Sequence, residues 1–204
     1  MIYTEDQVTE IVKRVIKELQ PDISGLSSNE KYKLASDPQT STKVLELLAT
    51  NNCIHSRCGV AENPNTPTKT LESLAIDNHS WVRWRVAKNL NTPPKALEIL
   101  ATDKYSHVRL GVAYNPNTPP KSLELLVTDN EWDVLKAVVQ NPNATQKTLL
   151  ILSATNDYMI QHYVEKHPNY DPPETITITK KQKQALKDLI ISTQNPILKD
   201  INLG

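Results

Sequence analysis

The chain has 204 residues, with 23 Lys plus Arg against 23 Asp plus Glu and an isoelectric point near 7, so no global field draws it onto nucleic acid or an anionic membrane. Phe is absent, Gly is scarce, and neither GxGxxG nor GxxxxGK followed by Ser or Thr occurs, which excludes the Gly-rich nucleotide cradles. Cys53 and Cys58 are the only cysteines, no apolar run reaches membrane-span length and the N-terminus is acidic and polar, all of which point to a soluble protein of the reducing cytoplasm.

Residues 4 to 19 open with Thr4 and Gln7 spaced as a capping box, and Val8, Ile11, Val12, Val15, Ile16 and Leu19 follow at helical intervals. This predicts an amphipathic helix, stopped by Pro21 and followed by a connector from Ser24 to Asn29. Its expected role is to cap the apolar end of a repeat array; the competing role is to dock into a groove on another protein.

From residue 30 to 170 the chain repeats itself. Asn115-Pro116-Asn117-Thr118-Pro119-Pro120-Lys121-Ser122-Leu123-Glu124-Leu125-Leu126 recurs with close copies at 26-residue intervals starting at Asn63, Asn89 and Asn141. An earlier copy starts at Asp37-Pro38, and His167-Pro168-Asn169 begins a sixth that does not finish. A strict period of this length means stacked supersecondary units. Thr66, Thr92 and Thr118 stand before Pro67, Pro93 and Pro119 as an N-cap followed by a proline at the first helical position, so each is expected to start a helix of about ten residues. Leu45/Leu48, Leu71/Leu74, Leu97/Leu100, Leu123/Leu126 and Leu149/Leu152 supply its buried face. Ser80 and Ser106 are placed to cap a second helix, whose Val82/Val86/Ala87, Val108/Val112/Ala113 and Val134/Val138 share one face. The following Asn-Pro ends it.

The run from Val82-Arg83 to Asp103, and again from Val108-Arg109 to Asp129, resembles the leucine-rich repeat variant family, a relative of HEAT-like repeats, and the resemblance covers roughly residues 35 to 170. What it implies is an all-α, right-handed α-solenoid, a superhelix of short helices whose second member is often partly 3₁₀. The period here exceeds that family's usual unit by about half a helical turn. The N-terminal cysteine cluster that holds an iron-sulfur centre in one branch is missing, so no cofactor is implied. The full expectation is about five 26-residue two-helix repeats over residues 30–170, with an N-terminal capping helix and connector over 1–29 and a C-terminal capping helix and tail over 171–204. Glu174 to Thr179 alternates like a brief extended segment, and Lys180 to Ile191 carries Ala185, Leu186, Leu189 and Ile190 on one helical face.

Comparing the repeats with one another separates framework from function. Opposite the valine face of the second helix, successive copies place His55/Cys58/Glu62, Trp81/Trp84/Lys88, His107/Leu110/Tyr114 and Asp133/Lys136/Gln140. Trp81, Trp84, Arg85, Lys88, His107, Leu110 and Tyr114 together make the candidate partner-binding patch, because aromatic rings with Arg or Lys are what binding hot spots contain. The bland alternative is that the indoles fill space between repeats.

Arg57, Arg83 and Arg109 repeat at the same interval, and the expected structural ladder pairs them with Asp77, Asp103 and Asp129. The alternative is a row that tracks phosphates, with Trp for base stacking. Lys43, Lys69, Lys95, Lys121 and Lys147, the first four followed at i+3 by Glu, read as a solvated face. Cys53-x-His55-x₂-Cys58 lacks zinc-site spacing, so no metal is expected.

No nucleophile elbow or paired acid/base set asks for an enzyme, and no catalytic residue is assigned. The function expected is a non-catalytic protein- or peptide-binding scaffold using the inner groove of the solenoid. The alternative is a nucleic-acid-binding HEAT-like protein: the general helical-repeat plan is similar to that of the alkylpurine glycosylases of DNA repair, and Asp133 beside Trp132 is the sort of pair that family would use. No membrane partner is expected, and the sequence leaves the oligomeric state open.

Overall fold

Short helices survive in water only when neighbours cover their apolar faces, and in this chain the covering is periodic. The computed structural model describes Thr4 and residues 23–172. The amphipathic stretch of residues 5–19, the Glu174–Thr179 segment and the Lys180–Ile191 helix of the sequence reading lie outside the described residues. Within them there are eleven α-helices and no strand: α1 (Ser28–Ser36), α2 (Thr42–Ala49), α3 (Ile54–Glu62), α4 (Thr68–Leu74), α5 (Ser80–Lys88), α6 (Pro94–Leu100), α7 (Ser106–Tyr114), α8 (Pro120–Leu126), α9 (Trp132–Gln140), α10 (Gln146–Ser153) and α11 (Tyr158–Glu165). The even-numbered helices from α2 to α10 are the first helices of the repeats, and the odd-numbered ones are the second. The chain divides into two compact units, residues 1–96 and 97–204.

In the first unit the second helices α1, α3 and α5 pack side by side, and the first helices α2 and α4 lie against them. Leu45, Leu48, Leu71 and Leu74 from the first helices meet Val60, Val82, Val86 and Ala87 from the second, and all are at most 3% exposed. Each such leucine removed from water stabilises the stack by ~2 kcal/mol. α1 and α3 pack tightly at Gly59, where an added Cβ would lie 2.7 Å from Ala35 Cβ and 2.8 Å from the Tyr32 carbonyl oxygen. The second unit repeats the plan. α7, α9 and α11 pack in a row, α8 and α10 lie against them, and Leu123, Leu126, Leu149, Leu152, Val134, Val138 and Ile160 are buried.

Three boundary readings change. Thr66, Thr92 and Thr118 do not cap the helix that follows, which begins at Thr68, Pro94 and Pro120. Each hydroxyl instead donates backwards to the carbonyl of Val60, Val86 or Val112 at 2.5–2.6 Å. The last carbonyls of a helix have no partner of their own, so a buried threonine six residues on closes the preceding helix. Ser80 and Ser106 are the first helical residues rather than caps; the cap positions are His79, whose ring accepts from the Trp81 N–H, and Tyr105.

The third change is at the start of the array, where Ser28 and Asn29 are helical rather than part of a connector. Ser27 and Glu30 form a reciprocal capping box there, the Ser27 N–H donating to Glu30 Oε2 at 2.8 Å and the Glu30 N–H to Ser27 Oγ at 3.3 Å. The S-x-x-E signature was present in the sequence. The family's partly 3₁₀ second helix is also absent from the described residues: α3, α5, α7 and α9 are nine-residue α-helices.

Candidate functional site

Two ladders hold the repeats in register and set where the remaining side chains point. The first is made by the asparagine that ends each second helix. Asn63 Nδ2 donates to the carbonyls of Ala35 and Asp37, both at 2.7 Å, and Asn89 Nδ2 to those of Ala61 and Asn63 at 2.8 and 2.9 Å. Asn141 does the same to Ala113 and Asn115 at 2.7 and 2.9 Å. On the other side of each amide, Oδ1 accepts the N–H two residues ahead, at 2.8–2.9 Å, which makes the turn. His167 takes the asparagine's place in the unfinished sixth copy, with Nε2 3.2 Å from the Asn141 carbonyl oxygen and Nδ1 accepting from the Asn169 N–H. The sequence reading saw Asn-Pro only as a helix stop.

The second ladder is ionic. Arg57 donates to both carboxylate oxygens of Asp77 at 2.6 and 3.1 Å, and Arg109 to both of Asp129 at 2.6 and 2.8 Å. Each also holds the turn before its own helix, Arg57 through the Asn51 carbonyl and Arg109 through the Asp103 carbonyl; Arg83 does so through the Asp77 carbonyl at 2.7 Å. Burial alone would favour a protonated Asp129, but hydrogen bonds from Arg109 and the Glu131 N–H outweigh it and hold the carboxyl below its ordinary value. The same pairing, led by the Asp77 and Asp129 hydrogen bonds, raises Arg57 and Arg109 above theirs. With their side chains 17% and 19% exposed, Arg57 and Arg109 are engaged framework cations.

The lysine column is exposed throughout, and Lys147, which has no acid three residues on, reaches Glu124 of the preceding repeat at 2.6 Å.

With the frame set, the surface of the first unit is decided by what each second helix carries away from the core. On α5, Trp81 is 51% exposed and Trp84 is half-buried; their rings meet edge to face with centroids 5.3 Å apart. Lys88 Nζ lies 4.7 Å from the Trp84 centroid and the Arg85 guanidinium 5.7 Å from it, on the other side 5.8 Å from the ring of Tyr32 on α1. Arg85 is paired with Glu62 of α3, and the Tyr32 hydroxyl donates to the same Glu62 oxygen at 2.8 Å. That hydrogen bond pushes the phenol above its ordinary value.

The three helices enclose a notch. Tyr32, Cys58 and Trp84 occupy equivalent positions one period apart, so a small side chain on α3 sits between two large aromatic ones. Cys58 borders a cavity of about 440 Å³ that is also lined by Ser28, Asn29, Tyr32, Ile54, His55, Trp81 and Arg85. Beside it is a smaller cavity of about 230 Å³, lined by Glu62, Trp84, Arg85, Lys88 and Asn89, with Arg85 common to both. Burial pushes the Cys58 thiol up. At Cys53, which occupies the α3 cap position, burial opposes ionisation, yet hydrogen bonding by the Ser28 side chain and by Ser56 and His55 brings the thiol down to about 7.

Of the candidate patch, Trp81, Trp84, Arg85 and Lys88 are thus gathered on α5, alongside Tyr32 and Glu62. His107 and Leu110, both half-buried, and Tyr114, 54% exposed, lie on α7 in the second unit, where His107 sits 5.5 Å from the Tyr105 ring. The sequence reading missed Ser28, Asn29, Tyr32 and Ile54. The signal was there in the large, small, large order of Tyr32, Cys58 and Trp84, but it becomes a notch only once α1 is known to be a helix.

A second ring cluster, also missed, lies on α9 and α11: Lys136 Nζ is 5.2 Å from the centroids of both Trp132 and Tyr163, and Tyr158 and Met159 are exposed. Asp133 is solvent-exposed in the first turn of α9. Among the described residues, no group of three or more His, Cys, Asp and Glu side chains is placed to hold a metal ion, and no helix is long and apolar enough to cross a membrane.

Stacked short helices joined by periodic side-chain ladders define a helical-repeat array, with a recessed aromatic surface on its second helices. Residues 107–131, which run from α7 to just before α9, match the family described as leucine rich repeat variant, so the resemblance carried by the sequence motif is found by an independent comparison over one repeat. No curated protein and no solved structure matches the chain.

Proposed function

We propose that the chain is a non-catalytic protein- or peptide-binding repeat scaffold of the cytoplasm, and that its contact surface in the first unit is the face of α5 together with the notch beside it. One observation carries this reading: Trp81, 51% exposed, meets the half-buried Trp84 edge to face, and the pair is flanked by Arg85 and Lys88 at the surface of α5. Burying such rings in an interface is a strong source of affinity, and Trp and Arg are the residues most enriched where binding energy concentrates. The free thiols of Cys53 and Cys58 suit a reducing compartment.

The phosphate-tracking alternative draws less support, because Arg57 and Arg109 already spend their forks on Asp77 and Asp129. A glycosylase-like role for Asp133 draws little support too, since its carboxylate is solvent-exposed in the first turn of α9 and lines neither cavity.

The test is capture of partners from native lysate by the full chain, run beside a mobility shift with single- and double-stranded DNA. Trp81→Ala is expected to weaken capture by about thirtyfold or more while leaving the helical content unchanged. Capture that persists in this variant, or a DNA affinity that falls steeply with salt, contradicts the reading.

A further inference from the structure

The notch has a chemical polarity that narrows its occupant. Its walls are the rings of Tyr32 and Trp81, and Ile54 and Cys58 add apolar surface from α3. Its volume of about 440 Å³ lies within the range of pockets that bury most of a small ligand. Among the described residues, no carboxylate lines it and Arg85 is its one charged side chain. The adjoining smaller cavity contributes, among the same residues, Lys88 and a single acid, Glu62. That acid is already engaged, accepting from the Tyr32 hydroxyl and from Arg85.

Taken together, the two cavities present two cations and one neutralised carboxylate. Arg85 gives Glu62 one N–H of a guanidinium that carries several. Lys88 is exposed, with its ammonium over the Trp84 face. A carboxylate brought to this rim meets charge of opposite sign in a partly desolvated setting, whereas an ammonium would have to take Glu62 away from both Arg85 and Tyr32.

We infer that the notch is the anchor site for an acidic peptide, in which one large apolar side chain enters between Tyr32 and Trp81 while a carboxylate on a neighbouring residue is met by Arg85 and Lys88. This deepens the scaffold reading and rests on it. It also gives Cys58 a role that its neighbours one period away do not share: its small side chain keeps the floor of the notch low where Tyr32 and Trp84 would fill it.

Fluorescence anisotropy on the full chain tests the inference with three labelled peptides: one leucine flanked by glutamates, the same peptide with alanine for leucine, and the same with lysines for the glutamates. The glutamate–leucine peptide is expected to bind, and each of the other two to bind at least about tenfold more weakly. Lys88→Glu should weaken the glutamate peptide and strengthen the lysine one. Cys58→Leu should bring the leucine peptide down to the level of the alanine peptide, and Trp81→Ala, which removes a ring 51% exposed and outside the buried core, should do so as well.

Equal affinity for the glutamate and lysine peptides, or an order that Lys88→Glu does not alter, overturns the inference. So does displacement of the peptide by a single-stranded oligonucleotide that binds more tightly, which would mark the rim as a phosphate site. If none of the peptides binds while Trp81→Ala still abolishes capture of a lysate protein, the acidic class is wrong and the scaffold reading stands. If Trp81→Ala changes neither, both fall.

Discussion

The two units carry the same ladders and differ in the surface side chains of their second helices, a contrast that one column shows. In the first, the column runs Tyr32, Cys58, Trp84, and the short Cys58 side chain borders the notch together with Tyr32 and Trp81. In the second, it runs Leu110, Lys136, His162, and the middle position is occupied by a long side chain whose ammonium lies against Trp132 and Tyr163. Asn63 and Asn141 make corresponding pairs of carbonyl hydrogen bonds, and Arg57–Asp77 and Arg109–Asp129 are the same bidentate pair. The frame therefore does not decide what the surface can hold. The residue at one position of each second helix does.

If the frame is shared, damage to it should cost the same in either unit. Leu71→Ala and Leu123→Ala, both at fully buried positions, are expected to lose about 3–4 kcal/mol each in urea denaturation, and a large difference between them would break the equivalence.

Arg57→Ala and Arg109→Ala come next, at ~3 kcal/mol each, because each leaves a mostly buried carboxylate without its partner. The Arg109 pair also sharpens the comparison through pH. Asp129 has a folded-state value held below its unfolded one, so its contribution is fully present above the unfolded value and disappears as the pH falls through the folded value. Urea midpoints between pH 7 and pH 2.5 should show a steeper acid loss in the native chain than in Asp129→Asn, with the difference confined to the region below ~pH 4.

The surface column should behave in the opposite way. Trp81→Ala and Lys136→Ala are each expected to change stability by less than ~1 kcal/mol, but only Trp81→Ala should impair partner binding. Smallest of all is a difference within the first unit. Cys53, with its thiol brought to about 7, should be alkylated by iodoacetamide half-maximally near neutral pH, whereas the buried Cys58 should stay unmodified under the same conditions, as read by mass spectrometry.

The array itself was legible because its determinants are local and repeated: paired leucines three apart, the valine face and the Asn-Pro stop recur without a slip. The helix starts were displaced by one residue because Thr66, Thr92 and Thr118 carry an N-cap side chain, yet their hydroxyls bond to a carbonyl six residues back in the chain. Nothing in the local pattern separates those two partners. Half of the candidate patch, Trp81 to Lys88, could be read from the sequence because it lies on one helix and follows helical spacing. The rest of the notch could not, because Tyr32, Glu62 and Arg85 come together from three helices and α1 was read as starting with a connector.

The chain's three tryptophans allow the central claim to be measured in one experiment, since Trp81 and Trp84 belong to the first unit and Trp132 to the second. Their indole N–H signals can be followed by NMR while the glutamate–leucine peptide is added. Saturable shifts of the Trp81 and Trp84 signals with Trp132 unmoved are the predicted result; a Trp132 shift with Trp81 and Trp84 static would contradict it.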